Sequence, residues 1–480
     1  MDLIDKYVEE FNQTDTEPMK NAVTNAEAAE WMKREVPKFE CPDKELERIY
    51  YFRWWTYRKH LKKTEKGYAV SEFLLDVPWG SRYNIINAAS GHHLSEGKWL
   101  KHAAEYLEDY IRLLLDKDGG VKCHSYSSWL LYALKEYFEV TGYEGLTEEL
   151  FDKMLWYHSV WENTHRLPNG MYWSIDLEDA MEFSISGTNE KNQVRRGIRP
   201  TLNSYMYADC VAISAFARKL GKEAIAQEYE EKAAALKKDI NEKLWKDGFY
   251  RSFHYDSDWT EAFQDSNLPM EELGYIPWMF GIPPMDREQV FDYVQDEAVF
   301  NAPIGITTAD MREKRFLYEV DHECLWNGYV WPFATSQTLK AMIRVIRDYN
   351  GETYKKVFVE QLKKYAVSHY KEENGRKVPW IDEVLHPFHQ EWTSVTYLKD
   401  HNFPEPMGPE GRGQYYNHST FCDLVISGLC GVEVKDGEMT VDPIVPEDWE
   451  WFELSDVYIG NQQYRIRYEK GSGCKIEKME

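Results

Sequence analysis

Residues 200–221 read PTLNSYMYADCVAISAFARKLG and carry the signals of one complete helix. Proline is favoured at the first position of a helix, where its missing N–H is not needed, and glycine is favoured just after the last turn. Pro200 and Gly221 occupy these two places. The next segment, 222–245, predicts a second helix because its apolar residues recur at intervals of three and four.

Helical patterns of this kind recur along most of the chain. Further helices are predicted at about 43–57, 95–116, 124–141, 146–165, 287–298, 329–348, 351–371, 391–400 and 416–430. The links between them are alternately short and long, and aromatic residues are frequent in the long links. This succession favours a closed double ring of helices, with the long links gathered at one end.

The pattern changes after Gly431, where short β-rich runs are separated by turn residues. These runs lie at 432–434, 438–441, 451–454, 457–459 and 464–468. The sequence therefore predicts a mainly α protein with a small C-terminal antiparallel sheet. We expect a lead-in at 1–42 packed on the barrel, a helical barrel at 43–431 and a β-strand region at 432–480.

The composition narrows the range of functions that the protein can have. The chain of 480 residues has a formal net charge of −25, which argues against binding to nucleic acid or to anionic membrane surfaces. Aromatic residues make up 15% of the chain, with 18 Trp and 33 Tyr, and such side chains suit a site that stacks sugars.

No apolar run is long enough to span a membrane, no CxxC pair occurs among the seven cysteines and the N-terminus has no apolar signal segment. We expect a cytoplasmic protein.

An acidic loop precedes the helix at 200–221. Residues 176–187 read DLEDAMEFSISG and hold four carboxylates, Asp176, Glu178, Asp179 and Glu182. A solvated acidic loop is the simpler alternative. However, Met181 and Phe183 are apolar, and apolar walls raise the pKa of a carboxyl group so that it keeps its proton near neutral pH. The loop is therefore a candidate source of a general acid.

Several other links mix aromatic and polar residues in the way that pocket-lining loops do. They are 78–87, 199–209, 321–332 and 378–390, and the family resemblance given below adds 415–420. The substrate-binding candidates that they supply are Trp79, Arg82, Tyr83, Asn203, Trp326, Asn327, Trp331, Trp380 and His418. A Trp near a Gly is more often part of a core than a ligand platform, so the recurrence across successive links is the stronger signal.

The order of PWGSRYN, DAMEFSIS, CLWNGYVWPF, WIDEVLHP and YYNHST along the chain resembles the (α/α)6-barrel glycoside hydrolases of families 63 and 37. That group includes processing α-glucosidases, mannosylglycerate hydrolase and trehalases. The resemblance implies that Glu182 is the general acid, although the group usually has Asp there, with Asp179 as the fallback. It also implies that Glu383, in EVLHP, is the general base.

The resemblance further implies an inverting mechanism. A protonated carboxyl group donates to the leaving oxygen, and a carboxylate takes a proton from water on the opposite face of the sugar. The expected substrates are small α-linked glucosides or mannosides, such as a disaccharide, a short oligosaccharide or a glycosylglycerate. We expect no cofactor, and the sequence leaves the oligomeric state open.

Three alternatives remain open at this point. Epimerases of the N-acylglucosamine type share the helical double ring and would use His322 and His386 as acid and base. A carbohydrate-binding protein without activity would bind sugar and release no product. A metal site built from residues such as His322 and Cys324 is less expected, because their spacing is not that of a structural zinc site. The basic residues Arg195, Arg196 and Arg199 would either contact an anionic substrate or offset the neighbouring acids.

Overall fold

The computed structural model describes residues 2–19, 21–142, 145–264, 268–405, 407–408 and 411–479. Its α-helices are α1 (Leu3–Gln13), α2 (Ala28–Glu35), α3 (Lys44–Lys59), α4 (Ser90–Gly97), α5 (Ala103–Leu114), α6 (Leu130–Thr141), α7 (Gly145–His165), α8 (Pro200–Lys219), α9 (Glu223–Asp239), α10 (Ile276–Met279), α11 (Asp292–Gln295), α12 (Pro332–Asp348), α13 (Lys355–Val367) and α14 (Thr393–Asp400). Its strands are β1 (Lys38–Glu40), β2 (Leu61–Thr64), β3 (Gly67–Val70), β4 (Arg196–Ile198), β5 (Trp245–Lys246), β6 (Phe249–Tyr250), β7 (Phe253–Tyr255), β8 (Tyr370–Glu373), β9 (Arg376–Pro379), β10 (Val432–Lys435), β11 (Glu438–Val441), β12 (Trp451–Ile459), β13 (Gln462–Glu469) and β14 (Gly473–Lys478).

The helices form two concentric rings. The inner ring consists of α4, α6, α8, α10, α12 and the π-helical segment Leu424–Leu429, each packed against the next. The ring closes where Glu96 of α4 accepts hydrogen bonds from the backbone N–H groups of Phe421, Cys422 and Asp423. Helices α7, α9 and α13 pack outside α8 and α12. The predicted double ring with a small C-terminal antiparallel sheet is confirmed.

The long links meet at one end of this ring. Pro200 begins α8, as the helix-start signal predicts, and Pro332 begins α12 in the same way. The link that precedes α8 contacts the link that precedes α12. The N–H of Trp326 donates a hydrogen bond to the carbonyl of Glu182 at 3.0 Å. The sequence positions that carry chemistry are thus brought to a common end.

The C-terminal sheet has the antiparallel order β1, β12, β13, β14. Its first strand comes from the lead-in, because Phe39 pairs with Leu454. Neither β1 nor β14 is predicted from the sequence. In β14 only Cys474 and Ile476 are apolar and Ile476 is exposed, so the apolar signal is too short to reveal a strand.

Three predicted helices are wrong in extent, and one of these, predicted at 124–141, begins only at Leu130. The predicted helix at 95–116 is two helices, α4 and α5, because the chain turns between them. At that turn Lys98 and Trp99 bond to the Asp423 carboxylate, at 3.0 and 2.8 Å. In the predicted helix at 416–430 only the last part is helical. No helix within the described ranges combines the length and apolarity needed to cross a membrane.

Candidate active site

The acidic loop is organised around Asp176. Its Oδ1 accepts a hydrogen bond from the N–H of Leu177, and its Oδ2 accepts one from the N–H of Phe183, each at 2.9 Å. Its carbonyl oxygen accepts from the N–H of Met181 at 2.9 Å. Burial raises the pKa of Asp176 to about 6. Both oxygens of this carboxyl group are engaged by the backbone of the loop, so Asp176 shapes the loop.

Asp179, the fallback acid, lies in a buried ion pair. Its Oδ2 is 2.6 Å from Nε of Arg199, which directly precedes α8, and its Oδ1 accepts from the hydroxyl of Ser127 at 2.8 Å. Both charged side chains are almost fully buried. A buried pair with these contacts holds two elements together, here the loop and α8.

Glu182 is held differently. Among the described residues, no other residue hydrogen-bonds or ion-pairs its carboxyl group, and the side chain is partly exposed. Burial within the site raises the pKa of Glu182 to about 8, and the negative charges of Asp176 and Glu383 act in the same direction. Ala180 and Phe183 have φ values of 54° and 58°, which are unfavourable for residues with a side chain. The loop is strained where it presents Glu182.

Glu383 is fully buried beside a cation. Its Oε1 is 3.7 Å from Nη2 of Arg412, and its Oε2 accepts from Sγ of Cys324 at 3.7 Å. Burial raises the pKa of Glu383, and the Arg412 guanidinium opposes this shift. Asp382 fixes the backbone here by accepting from the N–H of Glu383 at 2.7 Å. No sequence signal marks Arg412 as part of the site.

The link ahead of α12 connects the two candidate catalytic carboxyl groups. On one side Trp326 donates its backbone N–H to the carbonyl of Glu182. On the other side Val330 exchanges two backbone hydrogen bonds with Leu385, at 3.0 and 2.9 Å. Glu182 and Glu383 are close enough for their charges to interact. The structure thus brings together the two predicted residues, which are 201 positions apart (383 minus 182).

A third carboxyl group, Glu72, lies in the same site and is absent from the sequence prediction. Its Oε1 accepts a hydrogen bond from the hydroxyl of Tyr416. Burial raises the pKa of Glu72 to about 8, and the charges of Glu383 and Glu182 add to the shift. The segment VSEFLLD has no motif that would mark Glu72, so only its position in space identifies it.

Aromatic rings and polar side chains surround these carboxyl groups. Trp326 and Trp331 stack with ring centroids 4.5 Å apart, and Trp331 lies edge-on to His418 at 6.0 Å. Neither ring nitrogen of His418 has a hydrogen-bond partner among the described residues, and burial lowers its pKa. A neutral imidazole offers one donor and one acceptor, as a sugar hydroxyl requires. The Arg412 guanidinium lies 4.9 Å from the centre of the Trp79 ring.

Other predicted substrate-binding residues have partners elsewhere in the protein. Arg82 and Tyr83 both bond to the exposed carboxylate of Glu65. Asn203 is buried and exchanges hydrogen bonds with the backbone of Tyr172, at 2.8 and 2.9 Å. The structure does not bring Arg82, Tyr83 or Asn203 to the carboxyl groups. Their contacts instead stabilise the first of these loops and the start of α8.

Asn327 and Trp380 flank the site. The Asn327 side-chain amide donates to the carbonyl of Tyr318 at 2.7 Å, and its Oδ1 has no partner among the described residues. Trp380 lies under the ammonium group of Lys371, which is 3.7 Å from the ring centre. The Trp380 ring also packs against the ring of Tyr415, with centroids 5.0 Å apart. Trp380 therefore supports the segment that carries Glu383.

The one candidate group of metal ligands among the described residues is poorly suited to hold a metal ion. His322, Glu323 and Cys324 place one possible ligand atom each within 4.8 Å of one another. However, Glu323 is ion-paired with Arg412, and the Cys324 thiol donates to Glu383. Nδ1 of His322 accepts from the N–H of Cys324 at 3.0 Å. Three consecutive residues that are already engaged do not provide the ligand set of a structural zinc site.

The remaining candidates have partners outside the carboxyl cluster. Arg195 pairs with Asp256 at 2.9 Å, so it offsets an acid as the simpler alternative expects. His386, the second histidine of the epimerase alternative, stacks on His389 with ring centroids 3.8 Å apart. It is partly exposed and lies edge-on to Tyr329 at 6.0 Å.

Comparison with known proteins identifies the group to which these features belong. A family model described as the mannosylglycerate hydrolase MGH1-like glycoside hydrolase domain matches residues 82–419. None of the curated proteins matches the sequence. A solved structure described as a sialidase is 34% identical with a TM-score of 0.88, and the match covers 98% of this chain and 42% of that chain. This chain therefore spans less than half the length of that protein.

More distant structures share the fold. The GH63 mannosylglycerate hydrolase from Thermus thermophilus, solved with glucose, is 12% identical with a TM-score of 0.54, and the match covers 79% of this chain and 99% of that chain. An α-L-rhamnosidase from Dictyoglumus thermophilum is 13% identical with a TM-score of 0.56, and the match covers 92% of this chain and 43% of that chain.

Proposed function

The chain belongs to the family of mannosylglycerate hydrolase MGH1-like glycoside hydrolase domains, and on this premise we propose that it hydrolyses small α-linked glycosides with inversion. Glu182 is the general acid and Glu383 the general base. The observation that carries this proposal is the contrast between two carboxyl groups of one site. Glu182 has no ion-pair partner among the described residues, whereas Glu383 lies 3.7 Å from Arg412.

This contrast suits the two roles. A general acid must hold a proton near neutral pH, and the pKa of Glu182 is about 8. A general base must be ionised; burial raises the pKa of Glu383, and the Arg412 guanidinium at 3.7 Å opposes that shift and favours the ionised form. The proton donated to the leaving oxygen comes from Glu182, and the proton removed from the attacking water goes to Glu383.

The surroundings support a sugar as the substrate. The partly exposed ring of Trp79 is suited to the apolar face of a pyranose, and the buried, stacked rings of Trp326 and Trp331 lie behind the site. Polar atoms without partners in the described part of the protein, such as the ring nitrogens of His418, supply donors and acceptors for hydroxyl groups. We propose a glucoside or mannoside of a disaccharide, a short oligosaccharide or a glycosylglycerate.

The test is a panel of α-linked disaccharides, glycosylglycerates and nitrophenyl α-glycosides, which also includes α-L-rhamnosides and sialosides. NMR follows the anomer that is released first. We expect the β anomer from an α-glycoside, because water attacks from the face opposite the leaving group. Release of the α anomer would instead indicate a retaining mechanism with a covalent intermediate.

The variants Glu182→Gln and Glu383→Gln serve as controls for the residue roles. Near-normal turnover by either folded variant would remove that residue from the mechanism. A change in configuration of the sugar without uptake of water would favour the epimerase alternative. Sugar binding without any product would favour a binding protein.

A further inference from the structure

Glu72 has no role in the acid and base steps, yet it lies in the same site. It is buried, with 5% relative exposure. The Tyr416 hydroxyl donates to Oε1, and no group in the described part of the chain hydrogen-bonds Oε2. The carbonyl of Glu72 accepts from the N–H of Asn417 at 3.0 Å, so both its backbone and its side chain are fixed.

No cation of the described residues compensates this carboxyl group. The groups whose charges act on it are Glu383 and Glu182, and each is negative when ionised. Burial of an unpaired carboxylate costs much more than burial of the neutral acid, so such a group takes up a proton. The pKa of Glu72, at about 8, agrees with this argument.

The residue that holds the Glu72 carboxyl group lies beside one of the proposed sugar contacts. The ring of Tyr416, which holds Oε1, is 3.7 Å from the ring of His418 between centroids. His418 in turn packs against Trp331. With Oε1 occupied by a donor, the acidic proton belongs on Oε2, where no described protein group accepts it.

We propose that Glu72 is a neutral carboxylic acid that donates a hydrogen bond from Oε2 to one hydroxyl oxygen of the bound sugar and so selects which sugar is accepted. The inference rests on the proposed glycosidase function. A site with a buried donor discriminates against ligands that lack the matching acceptor, because the donor is then left without a partner. Glu72 thus determines specificity, while Glu182 and Glu383 carry the proton transfers.

Glu272 provides a matched control. It has 2% relative exposure, one of its oxygens accepts from the hydroxyl of Thr338 at 2.8 Å, and its Oε2 has no partner within the described ranges. Burial raises the pKa of Glu272 well above its ordinary value. Glu272 differs from Glu72 in its place, because no charge of Glu182 or Glu383 acts on it.

The kinetic test compares Glu72→Gln and Glu72→Ala on the best α-glycoside of the panel and on its monodeoxy analogues. Glutamine keeps a donor at the position of Oε2, so we expect kcat/KM to stay within about tenfold of the wild type. Alanine removes the donor, and we expect a loss of about 10- to 100-fold. For one of the monodeoxy analogues, the one that lacks the hydroxyl bound by Glu72, kcat/KM should fall much more in the wild type and in Glu72→Gln than in Glu72→Ala.

The control variants Glu272→Gln and Glu272→Ala should lower thermal stability without changing the order of preference among the deoxy analogues. The inference is overturned if Glu72→Gln is as impaired as Glu72→Ala, or if no deoxy position distinguishes the variants. A merely structural role for Glu72 predicts that its variants behave like those of Glu272.

An infrared difference spectrum tests the proton directly and needs no substrate. At neutral pH the wild type minus Glu72→Gln should show the C=O stretching band of a protonated carboxyl group. A carboxylate band in its place would overturn the inference. If the panel is not hydrolysed but the protonated band is present, the proposed glycosidase function fails while the neutral state of Glu72 stands. If the panel is hydrolysed and the band is absent, only the inference about Glu72 fails.

Discussion

Two carboxyl groups of one loop, Asp179 and Glu182, are three positions apart and have opposite surroundings. Asp179 is bonded to Arg199 and Ser127 inside the protein, whereas the Glu182 carboxyl group has no such partner among the described residues. Burial raises the pKa of both groups. The comparison teaches that burial alone does not mark a catalytic acid. The proposed acid role also needs a carboxyl group without an ion pair, because only then is a protonated, unengaged group available to a substrate, and Asp179 does not meet this condition.

The same comparison extends across the site to Glu383. This residue has a cation nearby, but Arg412 contacts it at 3.7 Å rather than at the 2.6 Å of the pair between Arg199 and Asp179. Arg412 is also engaged by Glu323. Glu383 therefore combines a neighbouring positive charge with oxygens that are not saturated by short hydrogen bonds, which suits a base that must accept a proton.

The largest expected effect separates the acid from the base. We expect Glu182→Gln to lower kcat by about two to four decades on alkyl α-glycosides, the usual weight of acid catalysis. On dinitrophenyl α-glycosides the loss should be much smaller, since that leaving group needs no proton. Glu383→Gln should be impaired on both substrate types, because activation of water is required in each case. Steady-state kinetics of both variants on the two substrate types measures these losses in kcat. Equal losses in both variants on both substrates would contradict the assigned roles.

The next prediction concerns the free energy of unfolding and tests the role of Asp179, the ion-paired member of the comparison. Asp179→Asn leaves the Arg199 guanidinium buried without its counter-charge. Removal of one partner of a buried ion pair typically costs about 3–5 kcal/mol. We expect urea denaturation to show a loss of this size in the free energy of unfolding.

Glu178→Gln is the control for this measurement, because Glu178 is a more exposed member of the same loop, 3.3 Å from His165. It should cost about 0–1 kcal/mol. A stable Asp179→Asn variant that has lost all activity would instead favour Asp179 as the acid.

A smaller effect is expected in the pH profile of Arg412→Gln. Loss of the guanidinium removes a charge that favours ionised Glu383, so the pKa of this base rises. Since the base must be ionised, the acidic limb of the kcat/KM profile should move to higher pH, by about one unit or more. Arg344→Gln is the control, because Arg344 pairs with Asp348 near the other end of α12. An unshifted limb would show that Arg412 does not tune Glu383.

Much of the fold follows from local signals. Pro200 marks the start of an inner helix, and β-rich runs between turn residues predict most of the C-terminal strands. These features depend on near neighbours in sequence, so the sequence reveals them. The unpredicted strand β14 has only two apolar residues, and β1 is a strand because it pairs with β12, far along the chain.

The site is less predictable because its chemistry depends on distant partners. The family resemblance indicated Glu182 and Glu383, and the structure brings them together. No local pattern shows that Asp179 is paired with Arg199, or that Glu72 receives a hydrogen bond from Tyr416, which is 344 positions away. Arg82 has the right residue type for a sugar contact, but its guanidinium bonds to Glu65. Residue type and motif order identify candidates, and only the fold decides which of them remain unengaged.

The last prediction tests the contrast within the acidic loop through the pH dependence of stability. The pKa of Glu182 is raised from an ordinary value of 4.5 to about 8 in the folded protein. Between these two values the folded chain holds a proton that the unfolded chain releases, so the stability that this group contributes at low pH is lost as the pH rises towards 8. We expect the free energy of unfolding of Glu182→Gln to fall less steeply with pH over this interval than that of the wild type. Urea denaturation at a series of pH values measures both slopes. Parallel curves would mean that Glu182 titrates alike in both states, and the argument that it keeps its proton would then lose its physical basis.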